Sequence, residues 1–132
     1  MTDRPAPKPH PVRVTCHCGG VVIEARLSAG LSTARRCDCS YCRRRGTVVV
    51  SAPLDGLRVV RGSERLTLYQ WGTMTAEHYF CAVCGTHTHH RRRSNPNEYG
   101  VNLGAIEGVN PRDLGPIPWA DGVNHPSDRT PG

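Results

Sequence analysis

Seven cysteines fall in three tight clusters, and no other feature restricts the possible folds of this chain as much. Cys16-His17-Cys18-Gly19-Gly20 comes first, Cys37-Asp38-Cys39-Ser40-Tyr41-Cys42 second, and Cys81-Ala82-Val83-Cys84-Gly85 third. An odd number of thiols cannot be consumed by disulfides within one chain. Metal ligation can use all seven. Zinc knuckles supply two cysteines from a tight turn, often with a glycine just after them to accept positive φ. Cys81-x-x-Cys84-Gly85 has this form, and Cys16-x-Cys18-Gly19 is its tighter variant. Two such pairs make a closed tetrahedral four-thiolate site. Cys37, Cys39 and Cys42 are then left as three ligands that need a fourth.

An open fourth position distinguishes catalytic from structural zinc. Two other readings of the trio stay open on the residues alone. A histidine, from His87 and His89 on one face of an extended segment or from His78 or His17, would make it a second structural site. Without metal it would be a redox centre. Three thiolates overcompensate the charge of a zinc ion, so the centre is a weak Lewis acid toward water. It is better suited to hold another thiolate, which predicts sulfur chemistry with a thiol substrate.

The rest of the chain reads as one small, mostly β domain with little helix. It has 132 residues, with 14 glycines, 11 prolines and a single phenylalanine, Phe80, a turn-rich composition with a modest core that metal would help to hold. Residues 1–11 read as a proline-rich disordered arm, 12–128 as the domain, and 129–132 as a tail. Strands are expected at Val12–Thr15, along the alternating Val21, Ile23, Ala25 and Leu27, at 47–52 ending on Pro53, and at Leu57–Arg61. Further strands are expected at 66–71, 77–80, 86–90 and 101–103. Ser40–Arg45 reads as one helical turn, and Asn110 as the cap of another. Residues 115–132 read as loop and tail.

No apolar run is long enough for a membrane span, and the first residues lack the apolar segment of a secretory signal. Both point to the cytoplasm, where thiols stay reduced. The formal charge of +6 counts thiols as neutral. Two zinc ions on seven cysteinates lower it to about +3, which weakens the case for nucleic acid and still suits a small anion.

At this point the order C-x-C-G, C-x-C-S-x-C-R-R, F-C-x-x-C-G resembles the glutathione-dependent formaldehyde-activating enzyme family, which includes centromere protein V. The match runs from Val14 to about Asp128 and takes in Gly62, Gly100-Val101-Asn102-Leu103-Gly104 and the stretch from Asp121 to Pro126. The resemblance implies a β-tent of small antiparallel sheets around a structural zinc. It implies that Cys16, Cys18, Cys81 and Cys84 hold that zinc, and that Cys37, Cys39 and Cys42 hold a second, catalytic one. It implies a carbon–sulfur lyase that condenses glutathione with formaldehyde. Substrate carboxylates would need cations near the trio, and Arg43 and Arg44 follow Cys42 directly. Arg91-Arg92-Arg93 are further candidates. Glu77, His78, His89 and Tyr69 are acid–base candidates, and Trp71 and Trp119 read as core or rim. The competing class is a non-catalytic zinc module that contacts nucleic acid or protein through its arginines. The absence of interleaved aromatics and of a recognition helix speaks against it.

Overall fold

A computed structural model describes residues 11–93 and 95–123. The expected arm and tail lie outside the described residues, apart from Pro11. Among the described residues, ten strands form three small sheets, accompanied by one α-helix. Strands β1 (Val12–Thr15), β2 (Val22–Ala25) and β5 (Leu57–Arg61) make an antiparallel sheet in the order β1-β2-β5. Strands β4 (Val49–Pro53), β6 (Leu66–Tyr69), β7 (Glu77–Cys81), β8 (His87–Arg91) and β9 (Glu98–Asn102) make a five-stranded antiparallel sheet in the order β4-β9-β8-β7-β6. The mostly β class and the small antiparallel sheets are as expected.

The core lies between these two sheets. Val14, Ile23, Ala25, Val50, Ala52, Val101 and Leu103 meet there, all fully buried. The alternation read along Val21 to Leu27 holds, with one exception: Val22 is buried as well, on the other side of the strand. Each valine or isoleucine buried in this way is worth on the order of 1.5–3 kcal/mol. The core is small and aliphatic, so cross-linking of its sheets by other means matters.

The third sheet was not expected. Strands β3 (Arg36–Cys37) and β10 (Trp119–Ala120) pair in parallel, the latter within the stretch 115–132 read as loop and tail. Two residues are too few to carry a periodic pattern. The pairing depends on a partner distant in the chain, with Arg36 N donating to Pro118 O at 2.9 Å. It lays residues 119–123 across the second cysteine cluster.

Helix α1 (Ser40–Arg45) forms where one helical turn was expected. Its start is fixed by Cys39, whose sulfur accepts from Cys42 N at 3.3 Å. Its end is fixed by Gly46, at φ 69°, where a side chain would be strained. Asn110 caps a short 3₁₀ turn (Pro111–Asp113) as expected. Among the described residues, no helix is long and apolar enough to cross a membrane.

Candidate metal centres

The first centre joins the two large sheets. Cys16 follows β1 and Cys81 ends β7, so a ligand from each sheet arrives on a buried strand end. Cys18 and Cys84 sit in the turns that follow. The two turns are built alike: Gly19 N donates to Cys16 O, Gly85 N to Cys81 O, and both glycines have positive φ. They also touch, with His17 N donating to Thr86 Oγ1 at 3.3 Å. The four sulfurs lie within 4.8 Å of one another, with Cys16–Cys18 at 3.5 Å and Cys18–Cys81 at 3.8 Å. A tetrahedron with 2.3 Å zinc–sulfur bonds has edges of about 3.8 Å, so the donor set fits a zinc-sized ion. Thr86 Oγ1 lies 3.3 Å from Cys84 Sγ, and this contact leads the causes that hold the Cys84 thiol down at about 5.

The second centre is the trio. Cys37 comes from β3, Cys39 caps α1 and Cys42 lies within it; their sulfurs also fall within 4.8 Å of one another. Contact with Cys37 drives the Cys39 thiol far below its usual range, and contact with Cys37 and Cys39 pushes Cys42 far above. The three sulfurs cannot all ionise side by side unless a cation lies among them, and the fit to a metal rests on this closeness and charge demand. Gly122 closes one side. A Cβ there would sit 2.5 Å from Cys37 Sγ and 2.7 Å from Cys39 Cβ, and its N–H donates to Asp38 Oδ1 at 2.7 Å.

The trio opens into a cleft of about 110 Å³. The guanidiniums that line it are Arg35, Arg45, Arg92 and Arg93, with Trp71 on the rim. Arg43 and Arg44 are exposed on α1 and do not line it; Arg44 bonds Ser40 O at 2.7 Å. Sequence proximity to Cys42 misses Arg45, the one residue of that run that turns inward. Arg45 Nη2 donates to Cys42 Sγ at 3.6 Å, Nη1 to His78 Nδ1 at 3.2 Å and Nε to Thr47 Oγ1 at 3.0 Å. Its guanidinium lies 4.8 Å from the Tyr41 ring centroid. On a helix, only one residue in three or four faces a given side, which is the signal that selects among three consecutive arginines. Arg35, in the segment before the trio, is held by backbone bonds to Val49, while its Nη1 donates to Thr33 O and Ser51 Oγ, both at 3.0 Å. Its Nη2 is buried without a partner among the described residues.

Of the acid–base candidates, only His78 reaches the cleft. Burial, then Arg45, lowers it to about 4, so its ring is neutral near pH 7. Glu77 bonds Tyr79 and pairs with Arg91, and Tyr69 is exposed. The expectation that His87 and His89 share a face is corrected by a β-bulge. Tyr79 pairs with His89 but Phe80 with His87, leaving Thr88 as the extra residue. The bulge shifts the alternation by one. His89 stacks on Tyr79 and meets the edge of Tyr99, while His87 turns to the face of His78 and His90. Trp119 is exposed, with Arg36 over its ring.

Comparison with known proteins gives two findings. The family model of the glutathione-dependent formaldehyde-activating enzyme matches residues 11–118. A crystal structure of a Rhodobacter sphaeroides protein, a structural-genomics target, is 64% identical, with a TM-score of 0.81. The match covers 82% of this chain and 99% of that one.

Proposed function

The chain belongs to the glutathione-dependent formaldehyde-activating enzyme family, and on that premise we propose that it is a zinc-dependent carbon–sulfur lyase that joins a glutathione-like thiol to formaldehyde or a related small aldehyde. The observation that carries this reading is a three-sulfur site in a guanidinium-lined cleft, beside a four-sulfur site that needs no further ligand. In this reading Cys16, Cys18, Cys81 and Cys84 hold one zinc, and Cys37, Cys39 and Cys42 hold the second with a position left for substrate. Zinc held by Cys37, Cys39 and Cys42 would supply a positive charge that favours the ionised form of a substrate thiol.

The net reaction forms one bond between the thiol sulfur and the carbonyl carbon. The carbonyl π bond breaks, the thiol proton ends on that oxygen, and the product is a hemithioacetal; no oxidant is needed. The chain's own residues bind and orient. The free arm of Arg35 suits one oxygen of a substrate carboxylate, and its direction is set because the other arm is fixed by Thr33 and Ser51. Arg45 draws negative charge off Cys42 and is itself held by Thr47, His78 and Tyr41. Such preorganised donors cost no reorganisation during reaction. Free thiols and a glutathione-like substrate suit a reducing, cytoplasmic setting.

Exchange NMR with ¹³C-formaldehyde and glutathione tests the proposal. The zinc-loaded protein should accelerate interconversion of aldehyde and hemithioacetal, and Cys39→Ser should return it to the rate in buffer. Wild-type protein that leaves the buffer rate unchanged would refute the activity.

A further inference from the structure

We propose that His78, His87 and His90 form a third metal site, an all-imidazole site for a borderline divalent ion such as zinc, with a ligand set of its own in the wall of the trio's cleft. It does not depend on the reading of the trio.

The three rings converge because of the backbone. His78 on β7 and His90 on β8 are direct cross-strand partners and stack at 5.1 Å between centroids. The bulge at Thr88 brings His87 to the same face, 5.8 Å from His90 and 6.5 Å from His78. Gly100 on β9 faces His90, and a Cβ at that position would collide with the His90 ring. The sheet is therefore built to admit this imidazole.

Three of their six ring nitrogens lack partners. Both ring nitrogens of His87 and Nδ1 of His90 are buried with no hydrogen bond among the described residues. His87 is only 6% exposed. Each unmet buried polar atom costs about 1–3 kcal/mol, and native proteins rarely leave several together. Their neighbour His89 shows the contrast: its Nδ1 bonds Thr88 Oγ1 at 2.8 Å. Apolar side chains would fill this space at lower cost. What three neutral imidazoles add is ligation, and burial keeps His78, His87 and His90 in that neutral, ligating form.

The geometry is near ligation. The donor atoms lie within 4.8 Å of one another. Metal–nitrogen bonds of about 2.1 Å in a tetrahedral site need donors about 3.4 Å apart, so ring rotations of roughly 1 Å close it. One residue opposes binding. Arg45 donates to His78 Nδ1, which puts the His78 proton on Nε2. Ligation through Nε2 moves that proton to Nδ1, so Arg45 must release His78 while keeping Thr47 and Cys42. The third site is thus the weakest of the three, and its occupancy is coupled through Arg45 to the trio.

Zinc titration of the full protein, already loaded at its cysteines, is the test. A third equivalent should bind, and X-ray absorption at the zinc edge should gain imidazole outer-shell scattering. Cys39→Ser should lose the trio's zinc and keep this one, whereas His87→Phe should lose this one alone. Arg45→Met should tighten it by roughly tenfold, since it removes a nearby positive charge and frees His78. Histidine-ring ¹⁵N shifts on wild-type protein give the same answer without any variant. Saturation with no imidazole signal and no movement of these resonances would mean that the space holds only water, and would overturn the site. A third equivalent that persists in His87→Phe, or an affinity unchanged by Arg45→Met, would also overturn it.

Discussion

The two cysteine centres use the same ligand atom and differ in everything around it. The four-sulfur centre takes its ligands from two sheets, buries Cys16 and Cys81, and sits in two matching turns of mostly backbone hydrogen bonds. The trio takes its ligands from one short segment, leaves Cys37 and Cys42 half-buried, and is bordered by charged side chains and a crossing strand. A ligand set that joins distant parts of the chain stabilises the fold, because the unfolded chain cannot bring it together. A set held within six residues does little for the fold and is free to serve a substrate. The proposed division of labour, stability at the first centre and exchange at the second, follows from this difference in placement.

The comparison can be broken most decisively by removing one ligand from each centre. Cys81→Ser should abolish cooperative unfolding, because zinc in such sites contributes on the order of 10 kcal/mol and domains this small are marginal. Cys39→Ser should keep a cooperative melt within a few degrees of wild type while losing the thiol chemistry. Equal loss of melting temperature in both would show that both centres are structural.

Gly122→Ala sharpens it next. The added Cβ meets Cys37 Sγ and the Cys39 Cβ, so the trio must shift while the four-sulfur centre does not. Cobalt substitution should show an altered spectrum at one centre only, with stability reduced by about 1–3 kcal/mol. Arg45→Lys should have a smaller effect. One ammonium cannot serve Cys42, His78 and Thr47 together, and activity should fall by roughly tenfold, as for a lost charged hydrogen bond of about 1.5 kcal/mol. An unchanged rate would remove Arg45 from the site's machinery.

The smallest effect is a pH dependence confined to the trio's wall. Desolvation raises the Glu98 carboxyl, but Ser51 and Arg92 outweigh it and leave the group below its usual 4.5. Arg92 Nη1 lies 2.5 Å from Glu98 Oε1. A carboxylate held low in the folded state stabilises it above the unfolded value, and that contribution is lost as pH falls below about 4.5. Glu98→Gln should flatten this part of the stability curve, and an unaltered curve would show that the pair contributes nothing.

Much of this was legible in the residues. The cysteine spacing marked out the two groups of sulfurs that the fold brings together, and the strands at Val12–Thr15 and Leu57–Arg61 fall where alternation and β-branching placed them. Three things were not legible: the β3–β10 pairing, the inward turn of Arg45 rather than Arg43 or Arg44, and the bulge at Thr88 that moves His87 to the face of His78 and His90. Ligand chemistry belongs to the residue type and travels with the sequence. Facing belongs to register, and register is set by partner strands distant in the chain, where one extra residue reverses every side chain beyond it. The sequence by itself therefore determined which metal-ligating and charged residue types the protein carries and how they are spaced. The tertiary structure decided which arginines and histidines stand beside it, because only strand pairing fixes the side to which each one points.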